Sequence, residues 1–166
     1  IGSASVRSGS GNFLLIQNDQ PSLLVSGLQP ALDTLGLRFS FRIPSYPASA
    51  RRLIQFKNGL TDLWSLWLRA DGRLAVQEDA DPIGLPYTWA STMDPLAIDV
   101  WHTLRIVYEA EAGGSVEVWL GSSFRVFPLL THSSTGMPVD TIEVHGDVSP
   151  LSPLYDDFYL SDLALQ

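Results

Sequence analysis

The sequence contains no cysteine. Disulfides, thiolate metal sites and a cysteine nucleophile are therefore excluded. No apolar run approaches the roughly 18 residues that a membrane-spanning helix needs, so we expect no membrane insertion. Lysine is almost absent too, because Lys57 stands alone beside nine arginines, and the net charge is −8. This negative balance disfavours binding to nucleic acid, which depends on neutralising phosphates, and to an anionic membrane surface.

The composition is that of a globular protein. Of 166 residues, 45% are hydrophobic and 17% are charged, which argues against disorder. A chain of this length is predicted to form a single domain over residues 1–166. Residues 1–12 are rich in serine and glycine, and we expect them to form a linker or an extended N-terminal arm.

Short alternating stretches separated by Gly, Pro, Asp and Asn make up most of the chain, and no segment shows a sustained helical period. The stretch 37–43 alternates strictly between apolar and polar residues, which predicts a strand with one face on a core. The stretch 52–57 is predicted to pair back onto it, whereas 79–100 and 121–139 are expected to be loops. At least eight such strands predict an all-β fold, a two-sheet antiparallel sandwich of the jelly-roll type.

The hairpin around Gly72 sets the phase of the two strands that flank it. A two-residue Asp71-Gly72 turn would scatter the apolar residues over both faces. A three-residue loop, Ala70-Asp71-Gly72, instead pairs Leu68 with Leu74 and requires positive φ at Gly72. Because a slip of one residue would turn the whole apolar set outward, we predict the three-residue loop and a structural role for Gly72.

The candidate ligand-binding residues are side chains predicted to lie opposite the core. They come from this hairpin, from a second hairpin over 101–121 and from the alternating stretch 140–147. Exposed aromatic rings stack on sugars and anchor protein interfaces, and a strand face with Glu and His suits a polar ligand or acid/base chemistry. The set is Trp67, Arg69, Arg105, Trp119, Glu143 and His145. The alternatives are a second apolar layer for the tryptophans and a solvated face for the Glu and His.

The closing stretch "YDDFYLSD", 155–162, has two adjacent aspartates inside an otherwise apolar strand. Neighbours on a regular strand point to opposite faces, so Asp156 and Asp157 cannot jointly bind one metal ion or flank one scissile bond. Asp156 is predicted to lie on the core side with Phe158 and Leu160, as a structural carboxylate held by hydrogen bonds.

Three carboxylates gather in a predicted loop at Glu78, Asp79 and Asp81. Calcium prefers such oxygen clusters, but the spacing departs from that of an EF-hand after Asp81. A structural Ca²⁺ here is the single cofactor candidate, and an ordinary solvated acidic loop is the alternative.

The order of the strands resembles the concanavalin A-like lectin/glucanase superfamily, particularly its laminin G-like branch. The resemblance rests on "LRFSFRI", "LWSLWLRADGRLAV", "WHTLRIVYEAEAGGSVEVWLG" and "IEVHGD" leading to "YDDFYLSDLAL". It covers residues 12–165. Closing strands such as "YDDFYLSD" are also similar to those of tailed-phage virion proteins built on this fold.

The resemblance implies a module that recognises or assembles and does not cut. The Glu-x-Asp-x-x-Glu motif of the glucanase branch is absent, and "EVH" at 143–145 matches only half of the alginate-lyase pattern. We expect a non-catalytic module at an extracellular or virion surface, either a virion component (capsid decoration or tail appendage) or a glycan-contacting adhesion module. Its partners would be glycans or other surface proteins, and the apolar surplus outside the core would suit a homo-oligomer.

Two alternatives stay open. One is the carbohydrate-binding module of a secreted glycan-degrading enzyme. The other is a glycan lyase or hydrolase centred on Glu143 and His145.

Overall fold

The computed structural model describes residues 14–15, 22–25, 31, 33–78, 89–90, 93–110, 114–121, 124–127, 130–131, 137–146 and 153–162. All regular elements in these ranges are β-strands. Within the same ranges, no helix has the length and apolar character to cross a membrane.

The strands of these ranges are, in chain order, β1 (Leu14–Leu15), β2 (Ser22–Val25), β3 (Thr34–Arg42), β4 (Arg51–Asn58), β5 (Thr61–Leu68), β6 (Leu74–Gln77), β7 (Trp89–Ala90), β8 (Trp101–Glu109), β9 (Ser115–Leu120), β10 (Phe124–Arg125), β11 (Leu130–Thr131), β12 (Thr141–Val144) and β13 (Leu154–Asp162). A seven-stranded sheet has the order β1-β13-β3-β8-β9-β10, with β11 also paired to β9. A six-stranded sheet has the order β2-β12-β4-β5-β6-β7. Every pairing is antiparallel.

One hydrophobic core lies between the two sheets. Phe39 and Ile106 enter it from the seven-stranded sheet, and Ile54 and Leu66 enter it from the six-stranded sheet. The rings of Phe56 on β4 and Tyr108 on β8 meet edge to face, with centroids 5.8 Å apart. The molecule is therefore an all-β, two-sheet antiparallel jelly-roll sandwich, as the alternation predicts.

The predicted phase of the hairpin around Gly72 is confirmed. Leu68 pairs with Leu74 and Leu66 with Val76, and Gly72 has a φ of 79°. A Cβ at this glycine would lie 2.5 Å from the ring of Tyr46, so both the backbone conformation and the space require glycine.

The prediction that 52–57 pairs back onto 37–43 is wrong. β4 pairs with β5 and β12, and it lies in the other sheet from β3. The connection 43–50 contains Pro44 and Pro47, which have no N–H for a ladder bond. This connection carries the chain from one sheet to the other.

The prediction of loops throughout 79–100 and 121–139 is also wrong in part. Three strands of two residues each, β7, β10 and β11, lie in those stretches. Strands this short show no alternation, because they contain too few residues for a period to register. The predicted linker at 1–12 lies outside the described residues, and the single domain over 1–166 stays a prediction.

Strand β13 is not regular, so the predicted phase of Asp156 is wrong. Asp156 pairs with Ser40 while Tyr159 pairs with Arg38, so β13 has one more residue than β3 between these pairs. Such an extra residue is a β-bulge. Ser40 lies between the buried Phe39 and Phe41, so the Asp156 position falls on the row that faces away from the core. Its structural role stays a prediction.

Candidate functional site

A row of polar residues crosses the outer face of the six-stranded sheet, the face away from the core. Glu143 pairs with Gln55, which in turn pairs with Ser65, and Ser65 pairs with Gln77. Directly paired residues of an antiparallel sheet share one face. Gln55 and Ser65 are buried, so the centre of this face lies beneath the longer side chains around it.

Trp67 lies on this face because it is two residues after Ser65 on β5, and a bulge in β4 puts Arg52 opposite it. The register shifts between Arg52 and Ile54, and Arg52 pairs with Trp67. The Arg52 guanidinium carbon lies 4.9 Å from the centroid of the Trp67 ring, within cation–π range. The indole Nε1 donates a hydrogen bond of 2.9 Å to Ser65 Oγ, and Arg52 also donates to Gln55 Oε1. The tryptophan ring is thus fixed in place while part of it stays exposed.

Charged side chains on the same face are paired with one another. Lys57 Nζ donates to Glu143 Oε1 at 3.2 Å and lies 3.6 Å from Asp62 Oδ1. Burial alone would lower the pKa of Lys57, but the hydrogen bond and the charge of Glu143, together with Asp62, raise the pKa above its ordinary value. Lys57 is therefore charged at neutral pH.

His145 lies beside this ion pair and is uncharged at neutral pH. Burial, followed by the positive charge of Arg52, lowers the pKa of His145 to about 4, although Glu143 opposes the shift. Its Nε2 is 3.6 Å from Glu143 Oε2, and within the described ranges this buried nitrogen has no hydrogen-bond partner. A buried polar atom without a partner is uncommon in folded proteins.

A cavity of about 260 Å³ opens at this end of the sheet, and we call it the Trp67 cleft. Its lining is Ala50, Arg51, Arg52, Trp67, His145 and Gly146. It combines an aromatic ring, two guanidinium groups and a neutral imidazole, a set of groups suited to a polar ligand with a flat apolar surface. Gly146 is buried and has no side chain, so it adds only backbone to the wall.

The structure divides the predicted ligand-binding set between two faces. Trp67 and His145 line the cleft, with Glu143 adjoining it, whereas Trp119 and Arg105 lie on the outer face of the seven-stranded sheet, paired in register. The Trp119 Nε1 donates to Glu117 Oε2 at 2.9 Å. Arg69 belongs to neither group.

Arg69 lies at the end of β5, where it forms part of the hairpin that contains Gly72. Its Nη2 is 3.0 Å from Asp71 Oδ2, and its backbone amide donates to the carbonyl of Arg73. It is not among the residues that line the Trp67 cleft. Its ion pair therefore supports the turn and leaves a ligand-binding role as a prediction.

The predicted calcium site falls largely outside the described residues. Glu78 is buried, but Asp79 and Asp81 lie outside the ranges that the structure describes. No group of three or more His, Asp and Glu side chains within those ranges is arranged to hold a metal ion. The calcium site stays a prediction.

Sequence reasoning missed Arg51, Arg52, Gln55 and Lys57. The signal that locates them is the Asn58-Gly59 pair, because Asn-Gly is a strong hairpin signal. This signal predicts that β4 folds onto β5. Asn58 pairs with Thr61, however, so the turn residues are Gly59 and Leu60, and the register shifts in β4 bring Arg52 opposite Trp67. Gly59 has a φ of 56°, as a turn glycine requires.

No family model and no curated protein matches the chain. Solved structures do match. The CBM40 of the Ruminococcus gnavus IT-sialidase, bound to α2,3-sialyllactose, superposes with a TM-score of 0.60 at 14% identity, covering 90% of this chain and 89% of that one. The Caenorhabditis elegans galectin LEC-6 gives 0.59 at 15% identity, covering 92% and 98%. The Trypanosoma rangeli sialidase in complex with sialic acid gives 0.58 at 15% identity, covering 91% of this chain.

The fold is a concanavalin A-like jelly roll. Identities this low show the fold alone, so the resemblance is confirmed at the level of the fold. The laminin G-like branch and the likeness to tailed-phage proteins stay predictions. The chain spans about a quarter of the sialidase, 25% of its length, but nearly all of the CBM40 and the galectin.

Proposed function

We propose that this chain is a non-catalytic glycan-contacting module that binds its ligand in the Trp67 cleft. The observation that carries the proposal is the Trp67 ring, held on the outer face by Ser65 and Arg52 beside a cavity lined by polar groups. Sugars present both an apolar ring face and hydroxyl groups, so an aromatic surface next to fixed donors and acceptors is suited to them.

The structural neighbours support the same proposal. Among those that the chain covers almost end to end are a carbohydrate-binding module and a galectin. The proposal includes an extracellular or cell-surface location, where glycans are displayed. A module of a secreted glycan-degrading enzyme is compatible with it, because such a module binds the substrate while another part of the enzyme cuts.

The competing catalytic proposal is centred on Glu143 and His145. Glu143 is engaged by Lys57 at 3.2 Å, and this ion pair favours a structural carboxylate over a proton donor. The proposal of a binding module therefore predicts that wild-type protein does not cleave a panel of acidic and neutral polysaccharides. Cleavage that is lost in Glu143→Gln would contradict it.

The direct test replaces the ring. In Trp67→Ala we expect at least tenfold weaker binding to the glycan that a glycan array identifies for the wild type, whereas Trp67→Phe retains most of the affinity because it keeps an aromatic face. Isothermal titration calorimetry measures both. Melting temperatures identify any loss of folded protein, since Trp67 is partly buried.

The matched control is Trp101→Ala, which removes an exposed tryptophan from the seven-stranded sheet. Its glycan affinity should equal that of the wild type. Equal losses in the two alanine variants, or an unaltered affinity in folded Trp67→Ala, would place the binding site elsewhere.

A second candidate function is assembly into a larger particle, as a virion component would require. The observation that favours it is an exposed apolar segment, in which Ile98, Val100 and Trp101 are 42%, 48% and 43% exposed. Such surface marks protein interfaces. Light scattering tests it: a discrete oligomer that dissociates in Val100→Asp supports assembly, and a monomer at high concentration contradicts self-assembly.

A further inference from the structure

A second row of residues crosses the outer face of the seven-stranded sheet. In register, Tyr159 pairs with Arg38, Arg38 with Arg105, Arg105 with Trp119, and Trp119 with Arg125. Five neighbouring strands thus contribute three arginine positions and two aromatic positions to one line. In a chain with a net charge of −8, the neighbouring Arg38 and Arg105 place positive charge locally on this face.

The central pair of this row consists of two like charges placed side by side. Arg38 and Arg105 are directly opposite each other on β3 and β8, and both are exposed. Like charges in this position destabilise a sheet. In the part of the chain that the structure describes, no carboxylate forms an ion pair with either of them. The guanidinium of Arg105 instead lies 5.3 Å from the Trp119 ring centroid.

The two arginines open onto a cavity of about 370 Å³, whose lining also includes Thr103 and Gly121. Guanidinium groups have only donors. The Thr103 hydroxyl lies 3.2 Å from that of Ser40, so a further hydroxyl pair adjoins the positive charges. Among the residues that the structure describes, no acidic side chain is part of this lining.

We propose that this cleft is a second ligand site that binds an oxyanion, the carboxylate or sulfate of an acidic glycan, separately from the Trp67 cleft. An oxyanion between Arg38 and Arg105 relieves their repulsion and receives charge-assisted hydrogen bonds from both, which are about twice as strong as neutral ones. Trp119, fixed beside Arg105, offers a surface for the attached sugar ring.

An acidic glycan fits this site better than a nucleic acid does. Nucleic-acid binding depends on neutralising many phosphates along a strand, and a net charge of −8 opposes that. A short acidic glycan needs only one local positive pair. Because the core separates the two sheets, the two ligand sites face opposite ways, and one molecule is able to bridge two glycan chains.

The test compares three hexasaccharides of equal length, one sulfated, one uronate and one neutral, by isothermal titration calorimetry at fixed ionic strength. We expect the wild type to bind one or both acidic probes at this site. The Arg38→Gln/Arg105→Gln variant should bind them at least tenfold more weakly. The stronger acidic probe identifies sulfate or carboxylate as the preferred group.

Two controls separate this site from general charge and from the Trp67 cleft. Arg42→Gln removes the same charge from the same strand, but Arg42 is already paired with Asp99 at 3.0 Å, so its affinity should stay within twofold of the wild type. Trp67→Ala should also leave acidic-probe binding at this site unchanged. An equal loss in Arg42→Gln, equal affinity for the neutral probe, or tighter binding of a single-stranded oligonucleotide would overturn the proposal.

Thermal unfolding with inorganic sulfate gives an independent measurement. At matched ionic strength, sodium sulfate should raise the melting temperature of the wild type above its value in sodium chloride by more than it does for the double variant. General salting-out acts on both proteins alike. In chloride alone, Arg38→Gln should melt no earlier than the wild type, because it removes a repulsion. An equal sulfate effect in both proteins would show an adventitious ion only and overturn the site.

Discussion

The two outer faces of the sandwich both have a tryptophan with an arginine over its ring, yet they differ in how their charged side chains are paired. On the six-stranded sheet, Lys57 is paired with Glu143 and Asp62. On the seven-stranded sheet, Arg38 and Arg105 face each other with no carboxylate partner among the described residues. The first face is internally neutralised, and the second presents positive charge to its surroundings.

Burial explains the difference. The centre of the six-stranded face is buried at Gln55 and Ser65, and buried polar groups need partners. Arg38 and Arg105 are exposed, so water solvates them and they need no partner within the protein. Under the proposal, local exposure and not the net charge of the chain decides which face binds an anion.

The largest expected effect concerns the hairpin that keeps Trp67 on its face. Gly72→Ala places a Cβ 2.5 Å from the Tyr46 ring, at a φ of 79°. We expect a loss of about 2–4 kcal/mol in the free energy of unfolding, from left-handed strain plus displacement of the tyrosine. Denaturant unfolding measures this loss.

The matched control is Gly59→Ala, whose φ is 56° but whose Cβ would meet nothing within 4 Å. It should cost only the backbone strain, about 1 kcal/mol. If the two variants lose equal stability, the contact with Tyr46 contributes nothing, and the six-stranded face is held in phase by other contacts.

The next prediction compares one ion pair from each face. Lys57 and Glu143 have side chains only 19% and 14% exposed, so Glu143→Gln leaves a mostly buried ammonium group with weaker compensation. We expect a loss of about 1–3 kcal/mol in unfolding free energy. Arg42→Gln breaks a pair whose side chains are 38% and 60% exposed, and it should cost less than about 0.5 kcal/mol. Similar costs would remove the distinction between a neutralised face and an open one.

The smallest effect is a pH dependence that belongs to the six-stranded face. His145 has a folded-state pKa of about 4, below its ordinary value of 6.5, so protonation favours the unfolded chain. The contribution of neutral His145 to the free energy of unfolding is about 1–2 kcal/mol after allowance for its partial exposure. This contribution is complete above pH 6.5 and is lost as the pH falls to 4. In His145→Gln, chemical unfolding across this window should show a correspondingly shallower decline. An identical decline would mean that other groups cause all of it.

Local alternation was sufficient to predict the fold but not the pairing of distant strands. The strict period of β3, and the single register that collects the apolar residues around Gly72, define strands and a core. Which sheet β4 joins depends on the path of the chain after Ile43, and on contacts between residues far apart in sequence, such as β12 with β4. No local pattern contains that information.

The candidate sites, like the fold, are predictable from local alternation only in part. Trp67, Trp119, Glu143 and His145 are predictable as outward residues because each lies in a stretch of alternating sequence. Their separation into two faces is not, since all outward residues look alike until strands are assigned to sheets. The opposition of Arg38 and Arg105 likewise becomes visible only from the β3–β8 register.

The bulge in β13 has a consequence for the two adjacent aspartates. Tyr155 is fully buried, and Phe158 packs on the core and stacks on Phe39 with centroids 5.4 Å apart. These two aromatic residues are three apart, an odd spacing that a uniform strand could not direct to one side. Because of the additional residue, Tyr155 and Phe158 both face the core. Asp156 and Asp157 lie between them, at the point where the alternation of the strand changes.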